Sequence, residues 1–491
     1  MCKAYSVFCP ALLIVGCTLL LGKNLAMAGN DEQLSTLNDQ KSVAVTIYNN
    51  DLALIKDVRN LSLANGDFNL AWRDVSALIR PETAALRSIT HPGSIAVVEQ
   101  NFNFDLLTPQ SLLNKYVGQM VTIVKVNPAT GVESRESALV LATSDGVVLK
   151  MADRIETGLP GRITFENVPG NLRDRPTLVI DGSHTGTAVE ELELSYLTGG
   201  LSWKADYVAE LNDAENQLDL SAWVTLTNTS GTRYANAKLQ LVAGGVHRVQ
   251  QEFAAPVAQR AKLAAAAMAE PMRQESLMDY HLYTLARLTT IAENQTKQVA
   301  LLNAAGVPAR KELVLMGSDY YYASSYGDLG QKMTVNVWLQ FDNKTSSRLG
   351  MPLPKGILRA YKRDKDGNAQ FVGEDQIDHT PKNEAVRVQL GQSFDVTANK
   401  KQIDFKQLSA GNSGNPGNSG ANRFESAYEI TLNNAKKESV TVKVQEPIPG
   451  DWKIVEESHQ HDKPASNTAL WKVDVPAEGS ATLKYRVQVK F

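Results

Sequence analysis

Apolar residues recur at every second position along most of this chain, the period of a strand that buries one face. The pattern starts at Ser42: Val43, Val45 and Ile47 alternate with Ala44 and Thr46, and after a turn at Asn49-Asn50-Asp51 the stretch Leu52 to Val58 continues extended. Short apolar runs follow as far as Val98. Residues 41–100 are therefore expected to form an N-terminal β-domain, preceded by a loose polar stretch at 29–40.

Residues 105–170 read differently. Thr108 before Pro109 supplies an N-cap and a first helical position, Leu112, Leu113 and Tyr116 share one face, and Gly118 ends the turn. Strands are predicted at Met120 to Val126, Ser137 to Thr143, Val147 to Met151 and Arg162 to Phe165, with turns at Thr130-Gly131 and Asp145-Gly146. A short helix leading into about five tightly turned strands is the plan of a small SH3-like or Sm-like barrel. The alternative is a plain meander packed on a neighbouring domain.

Beyond Pro176 strand follows strand: Leu192, Leu194 and Tyr196, then Trp203 to Leu211, Leu220 to Thr227 and Leu239 to Val242, which predicts a β-sandwich over 176–250. An alanine-rich segment, 251–275, contains Pro256, Pro271 and Ala264-Ala-Ala-Ala267 and reads as a linker. A second sandwich is expected over 276–425, where Met333, Val335, Val337, Leu339 and Phe341 alternate with polar neighbours. Within it Asp364-Lys-Asp-Gly-Asn368 turns a hairpin, and the Gly/Asn/Ser tract at 411–420 makes a flexible loop. Sandwich strands fill 426–491 and end on Leu483, Tyr485, Val487, Val489 and Phe491. The expected fold is mainly β and multidomain: immunoglobulin-like β-sandwiches plus the small barrel, with few short helices.

The N-terminus carries an address. Lys3 precedes an apolar run from Ala4 to Gly22, which ends in Ala26-Met27-Ala28 and polar residues. This is a signal peptide over 1–28 with cleavage expected after Ala28, and it implies a periplasmic or secreted protein. Two alternatives stand beside it: lipoprotein cleavage before Cys17 at Ile14-Val15-Gly16-Cys17, and an uncleaved anchor of near-spanning length. No later run reaches 18 apolar residues, so no span is expected in the mature chain.

Composition narrows the function. The 491 residues include 43% hydrophobic and 21% charged residues at a net charge of −3, values of a folded globular chain that exceeds one core. The longest basic runs are pairs such as Lys400-Lys401 and Lys436-Lys437, too sparse for a nucleic-acid partner. Cys2, Cys9 and Cys17 are the only cysteines. A mature chain cut after Ala28 therefore has no disulfide, thiolate zinc site or cysteine nucleophile.

Glu374, Asp375, Asp378, His379 and Glu384 are the densest run of possible metal ligands, with Glu374, Gln376 and Asp378 on one face of a strand. Their spacing matches no established metal signature, and a solvated strand and turn explains them as well. His459-Gln-His461-Asp462 is a weaker cluster, expected in an exposed loop. Asp364 to Asn368 resembles the opening of a calcium loop but lacks the flanking helices. Ser195 and Ser202 have no neighbouring histidine in sequence, and His184, His247 and His281 would have to reach a serine through space. The residues thus assign no catalytic, cofactor-binding or metal site. Trp338, out of phase with its strand's apolar face, is a candidate contact for a glycan or protein.

Three segments resemble a bacterial family known as domain of unknown function 4139. They are Leu194-Ser-Tyr-Leu-Thr-Gly-Gly-Leu-Ser-Trp-Lys-Ala-Asp-Tyr207 continuing to Leu241-Val-Ala-Gly244; Pro352-Leu-Pro-Lys-Gly356 through Gly373-Glu-Asp-Gln-Ile-Asp-His-Thr-Pro381 to Phe394-Asp395; and Glu446-Pro-Ile-Pro-Gly-Asp-Trp452. Val97-Val-Glu-Gln100 and Phe104-Asp-Leu-Leu107 extend the likeness. The resemblance implies an exported β-rich protein and carries no assigned reaction. The expected function is a non-enzymatic envelope protein that binds or scaffolds an envelope protein or glycan. The alternative is a metal-assisted envelope hydrolase centred on Asp378 and His379.

Overall fold

The computed structural model describes residues 32–49, 51–169, 172–186, 189–245, 272–409 and 422–491. The expected signal peptide with its cleavage point after Ala28, Cys17, His247, most of the expected linker at 251–275 and the Gly/Asn/Ser tract at 411–420 lie outside the described residues. What is described is mainly β, in several sheets, with one α-helix, Pro109–Lys115.

Two sheets face each other at the N-terminal end. One has four strands in the order Gln33–Ser35, Gly66–Arg73, Thr177–His184, Ile95–Asn103. The other is built on the hairpin Gln40–Tyr48 and Leu52–Ser62, extended on one side by Val189–Thr198 and on the other by Tyr234–Ala243 in parallel. Val45, Ile47, Ile55, Leu70, Trp72, Leu178, Ile180 and Leu194 interdigitate between them as one buried cluster. The stretch expected to be loose is ordered from Gln33. Its Gln33–Ser35 strand pairs in parallel with Leu70 to Trp72, and Thr36 and Asp39 close a capping box on the turn that follows.

That core also buries charge. Asp57 and Arg59 occupy core-facing positions of Leu52–Ser62. Arg59 donates to the Asp57 carboxylate through Nε at 3.0 Å and Nη2 at 2.8 Å, to Ser35 Oγ at 3.2 Å and to the Arg73 carbonyl at 2.7 Å. Trp72 Nε1 and Gln40 Nε2 donate to the same carboxylate, and the guanidinium lies 4.5 Å over the Trp72 ring.

The segment 105–170 begins as its sequence predicts. Thr108 Oγ1 accepts from the Ser111 N–H at 3.0 Å to start the helix, and Leu113 and Tyr116 are buried on one face. Five strands follow in the order Ile155–Thr157, Val148–Lys150, Glu133–Ala142, Met120–Val126, Arg162–Thr164. The expected barrel is not closed. The two outer strands are only three residues each, and their pairings run inward, to Val148–Lys150 and to Met120–Val126. The result is an open five-stranded sheet with its own small core.

The largest sheet has thirteen strands and passes from the first core into a second. Three of its strands are long enough to serve both. Gln295–Met316 pairs with Gln217–Asn228 as far as Pro308, then with Asp328–Asp342 and Val440–Pro447 from Ala309 onward. Ala385–Ser409 runs antiparallel to Asp328–Asp342 along its length, and takes Arg423–Asn434 as a second neighbour from Val396. The closing strand, Gly479–Lys490, buries Leu483, Tyr485, Val487 and Val489 in the second core, as its alternation predicts.

Arg59→Leu leaves the Asp57 carboxylate buried without its cation, so it should destabilise the chain by about 3–5 kcal/mol in equilibrium denaturation. A loss under about 1 kcal/mol would show that the pair does not organise the first core.

Candidate functional site

Asp328–Asp342 and Ala385–Ser409 lose register at four places, most sharply between Thr334 and Asn336. Asn336 pairs with Gln392 and Thr334 with Thr397, so four residues, 393–396, face Val335 alone. A bulge of this kind re-aims side chains and ends regular pairing. The Ser393 hydroxyl accepts from the Val396 N–H at 3.2 Å, and the Asp395 carbonyl accepts from Ala435 N–H at 2.8 Å, which pins the bulge from both sides. At its tip Phe394 is 96% exposed, although it lies inside a strand anchored at both ends.

Beside the bulge opens a cleft of about 270 Å³. Leu211, Leu313 and Leu339, all buried, form its apolar floor together with Val337 and Leu390. Val372 stands on the opposite wall, on the edge strand Ala369–Ile377. That edge approaches so closely that a Cβ on Gly373 would collide with the Leu390 carbonyl. Glu215 sits in a left-handed conformation, φ 55°, in a turn held by Asn212 Oδ1, which accepts from Asn216 N at 3.1 Å and Gln217 N at 3.2 Å. Its carboxylate accepts from Lys311 and from Lys362, the latter at 2.6 Å. Burial raises the Glu215 pKa, but the two lysines outweigh it and hold the group below the usual carboxylate range. Lys436 and Asp395 complete the rim, leaving three lysines against two carboxylates. An apolar floor, an exposed aromatic ring and a slightly cationic rim can hold an apolar side chain. Nothing in the set supplies a nucleophile with a base.

The sequence-predicted ligands do not converge. The Asp378 side chain is 90% exposed, with Lys355 at 3.7 Å. His379 Nδ1 accepts from the Lys355 N–H at 3.1 Å, and burial, helped by the Lys355 charge, lowers its pKa and favours the neutral ring. Glu374 pairs with Arg359 at 3.0 Å, Asp375 accepts from Gln389 N–H at 2.8 Å, and Glu384 faces solvent. Among the described residues no three His, Cys, Asp or Glu side chains gather to hold a metal ion. Asp364 caps its hairpin turn, accepting from Asp366 N at 3.0 Å and Asn368 N at 2.9 Å.

His461 is not in a loop. It opens the strand His461–Ala465, between the Trp452 and Trp471 rings, with Nδ1 2.9 Å from Glu457, while His459 turns to Ser458. Trp338, the candidate contact for a glycan or protein, is half-buried, and the Arg387 guanidinium lies 4.2 Å over one face of its ring. The Ser195 hydroxyl donates to the Ala85 carbonyl at 3.5 Å, and His281 Nδ1 lies 3.0 Å from Gln274 Nε2.

Sequence reasoning missed a buried cluster at Glu190. His184 Nε2 and His91 Nδ1 each lie 3.0 Å from its carboxylate, and the Ser88 and Ser94 hydroxyls donate to it. The carboxylate is central here and the serines bond it directly, so no imidazole is placed to deprotonate a hydroxyl, as a catalytic triad requires. The cluster is a structural knot beneath the Thr177–His184 strand.

Residues 192–491 match the family described as Domain of unknown function (DUF4139). The three long segments quoted from the sequence fall in that span, and Val97 to Leu107 precedes it. Comparison with curated proteins finds no match.

Burial raises the Glu190 pKa, but hydrogen bonds from Ser88, His184 and His91 bring it below its ordinary value. A carboxylate depressed in the folded state stabilises the fold above its unfolded pKa of about 4.3, and that contribution is lost as pH falls through the folded value. Thermal melting of the wild type should therefore drop more steeply than that of Glu190→Gln below about pH 4.3. Parallel curves would remove the cluster from the acid response.

Proposed function

The chain belongs to the DUF4139 family, and on that premise we propose that it is an exported, non-enzymatic binding protein of the bacterial envelope. Its partner is a second envelope protein, which presents an apolar side chain to the cleft beside Phe394. Export rests on the N-terminal pattern of Lys3, the apolar run and Ala26-Met27-Ala28.

One observation carries the binding site: a phenylalanine held almost fully in water on a bulge that the two flanking ladders fix. Burying a ring of that size is worth about 1.5–3 kcal/mol, which the isolated chain forgoes. Interfaces recover that energy at a few central aromatic anchors that fill pockets on the partner. The apolar floor next to Phe394 offers the complementary half, a place for the partner's own side chain. A protein is favoured over a glycan because the floor beside Phe394 is built of aliphatic side chains, Leu211, Leu313, Val337, Leu339 and Leu390, which suit an apolar side chain and offer a hydroxylated sugar no partner.

The test compares envelope extract passed over immobilised wild type and Phe394→Ser. The exposed ring makes no stabilising core contact, so the variant should match wild-type stability to within about 0.5 kcal/mol. The same protein bands should be retained about tenfold less by the variant, the loss expected when a hot-spot residue worth upwards of 1.4 kcal/mol is truncated. Equal retention by both, or retention of carbohydrate alone, would contradict the reading.

A further inference from the structure

The second core contains an amine and a carboxylate in contact, both wholly removed from water. Lys400 lies on Ala385–Ser409 in phase with the buried Val396, Ala398 and Gln402. Glu446 lies on Val440–Pro447 in phase with buried Val442 and Val444. These two strands do not pair with each other; the side chains meet across the core. Lys400 Nζ is 2.7 Å from Glu446 Oε1 and 2.6 Å from Oε2. The rings of Tyr321 and Tyr428 flank Nζ at 4.2 and 5.2 Å. The Tyr322 hydroxyl donates to Oε2 at 2.9 Å and lies 3.2 Å from the Tyr485 hydroxyl. Tyr428 and Gln402 do not contact the pair through their polar atoms: Tyr428 donates to the Tyr321 carbonyl at 2.6 Å, and Gln402 Nε2 donates to the carbonyls of Tyr321 and Ser324. Gly317 closes the last side, where any Cβ would collide with Oε2.

A buried ion pair of this kind gives little stability over an apolar pair of the same shape, because both ions are stripped of water. It does, however, hold the two reactants of an amide, an amine nitrogen and a carboxyl group, in direct contact. We infer that Lys400 and Glu446 are a self-modification site: after folding, Nζ is acylated by the Glu446 carboxyl, and an amide bond ties the two strands together across the sandwich. One ammonium proton passes to the carboxylate, giving the neutral pair. The Nζ lone pair attacks the carboxyl carbon, the C–N bond forms, and the C–Oε1 bond breaks. Oε1 leaves as water with two protons that began on Nζ, and Oε2 becomes the amide oxygen. No oxidant, reductant or activating group enters.

The surroundings act on each stage. Burial lowers the Lys400 pKa against the pull of Glu446, which favours the neutral amine. Burial, reinforced by the Glu446 charge, raises the Tyr322 pKa well above its usual value, so its hydroxyl keeps a proton to donate where negative charge develops on Oε2. Contact held by the fold replaces a bimolecular encounter, an advantage that reaches ~10⁵ M in effective concentration. Departure of water from a closed apolar core opposes the reverse hydrolysis. The bond would supply the cross-strand tie that this region, lacking cysteine, has no disulfide to make.

Tryptic digestion of the purified, denatured full chain reads the bond directly. Cleavage after Lys400 should fail, and residues 388–401 should appear joined to residues 444–453, lighter by one water than the sum of the two peptides. Lys400→Met should abolish the joined species, and Tyr322→Phe should accumulate unlinked chain while remaining folded by circular dichroism. Recovery of separate peptides in full yield from wild type, with normal cleavage after Lys400, would overturn the inference. A joined species that persisted in Lys400→Met would overturn the assignment of the site.

Discussion

Three strands shared by two hydrophobic cores set the constraint on which the C-terminal half depends. Gln295–Met316, Asp328–Asp342 and Ala385–Ser409 each give side chains to both cores: Leu301 and Val307 to the first and Leu313 and Leu315 to the second, for example. A pleated sheet twists as it extends, and a bulge is where a ladder that serves two cores can change its course. The largest register slip in the shared ladder falls at 393–396, where four residues face one, between Val386 and Val388 in the first core and Val396 and Ala398 in the second. Phe394 is exposed because of that adjustment, and the cleft is the gap left beside it. The binding site we propose is in this sense a product of how one sheet passes between two cores.

Burial of charge follows a common plan in three places. Asp57 and Arg59, His184 and Glu190, and Lys400 and Glu446 are each ionisable groups at positions that strand periodicity gives to the core. Each pair is surrounded by further donors or aromatic rings, as a group withdrawn from water must be. Such groups penalise any register that leaves them unpaired, so they select one alignment of strands that apolar alternation alone would leave degenerate.

The fold was legible where local chemistry decides it. Thr108-Pro109 started the helix, Met120 to Val126 was a strand to the residue, and the alternation from Leu483 to Val489 gave the closing strand its buried face. What escaped was long-range. Gln33–Ser35 is too short and polar to show a period, and it is a strand because Gly66–Arg73 offers it a free edge. The barrel failed to close because its two outer strands are short, and sequence patterns fix strand ends poorly. Of the candidate site, the Phe394-Asp395 pair was visible only through the family likeness. The register slip that exposes it depends on a partner strand about sixty residues earlier. The buried pairs did leave a signal. Lys400 after Val396 and Ala398, and Glu446 after Val442 and Val444, are charges standing in an apolar phase, and such an interruption marks a paired ion inside the core.

The central claim is that Phe394 is a contact point for another protein in the cell. A photo-reactive phenylalanine analogue at position 394, irradiated in living cells, tests it without extraction. A second cell line carries the analogue at Met278, which is 86% exposed on a separate strand turn. The account predicts a discrete protein adduct from position 394 that is absent from position 278. No adduct at 394, or the same adducts from both positions, would contradict it.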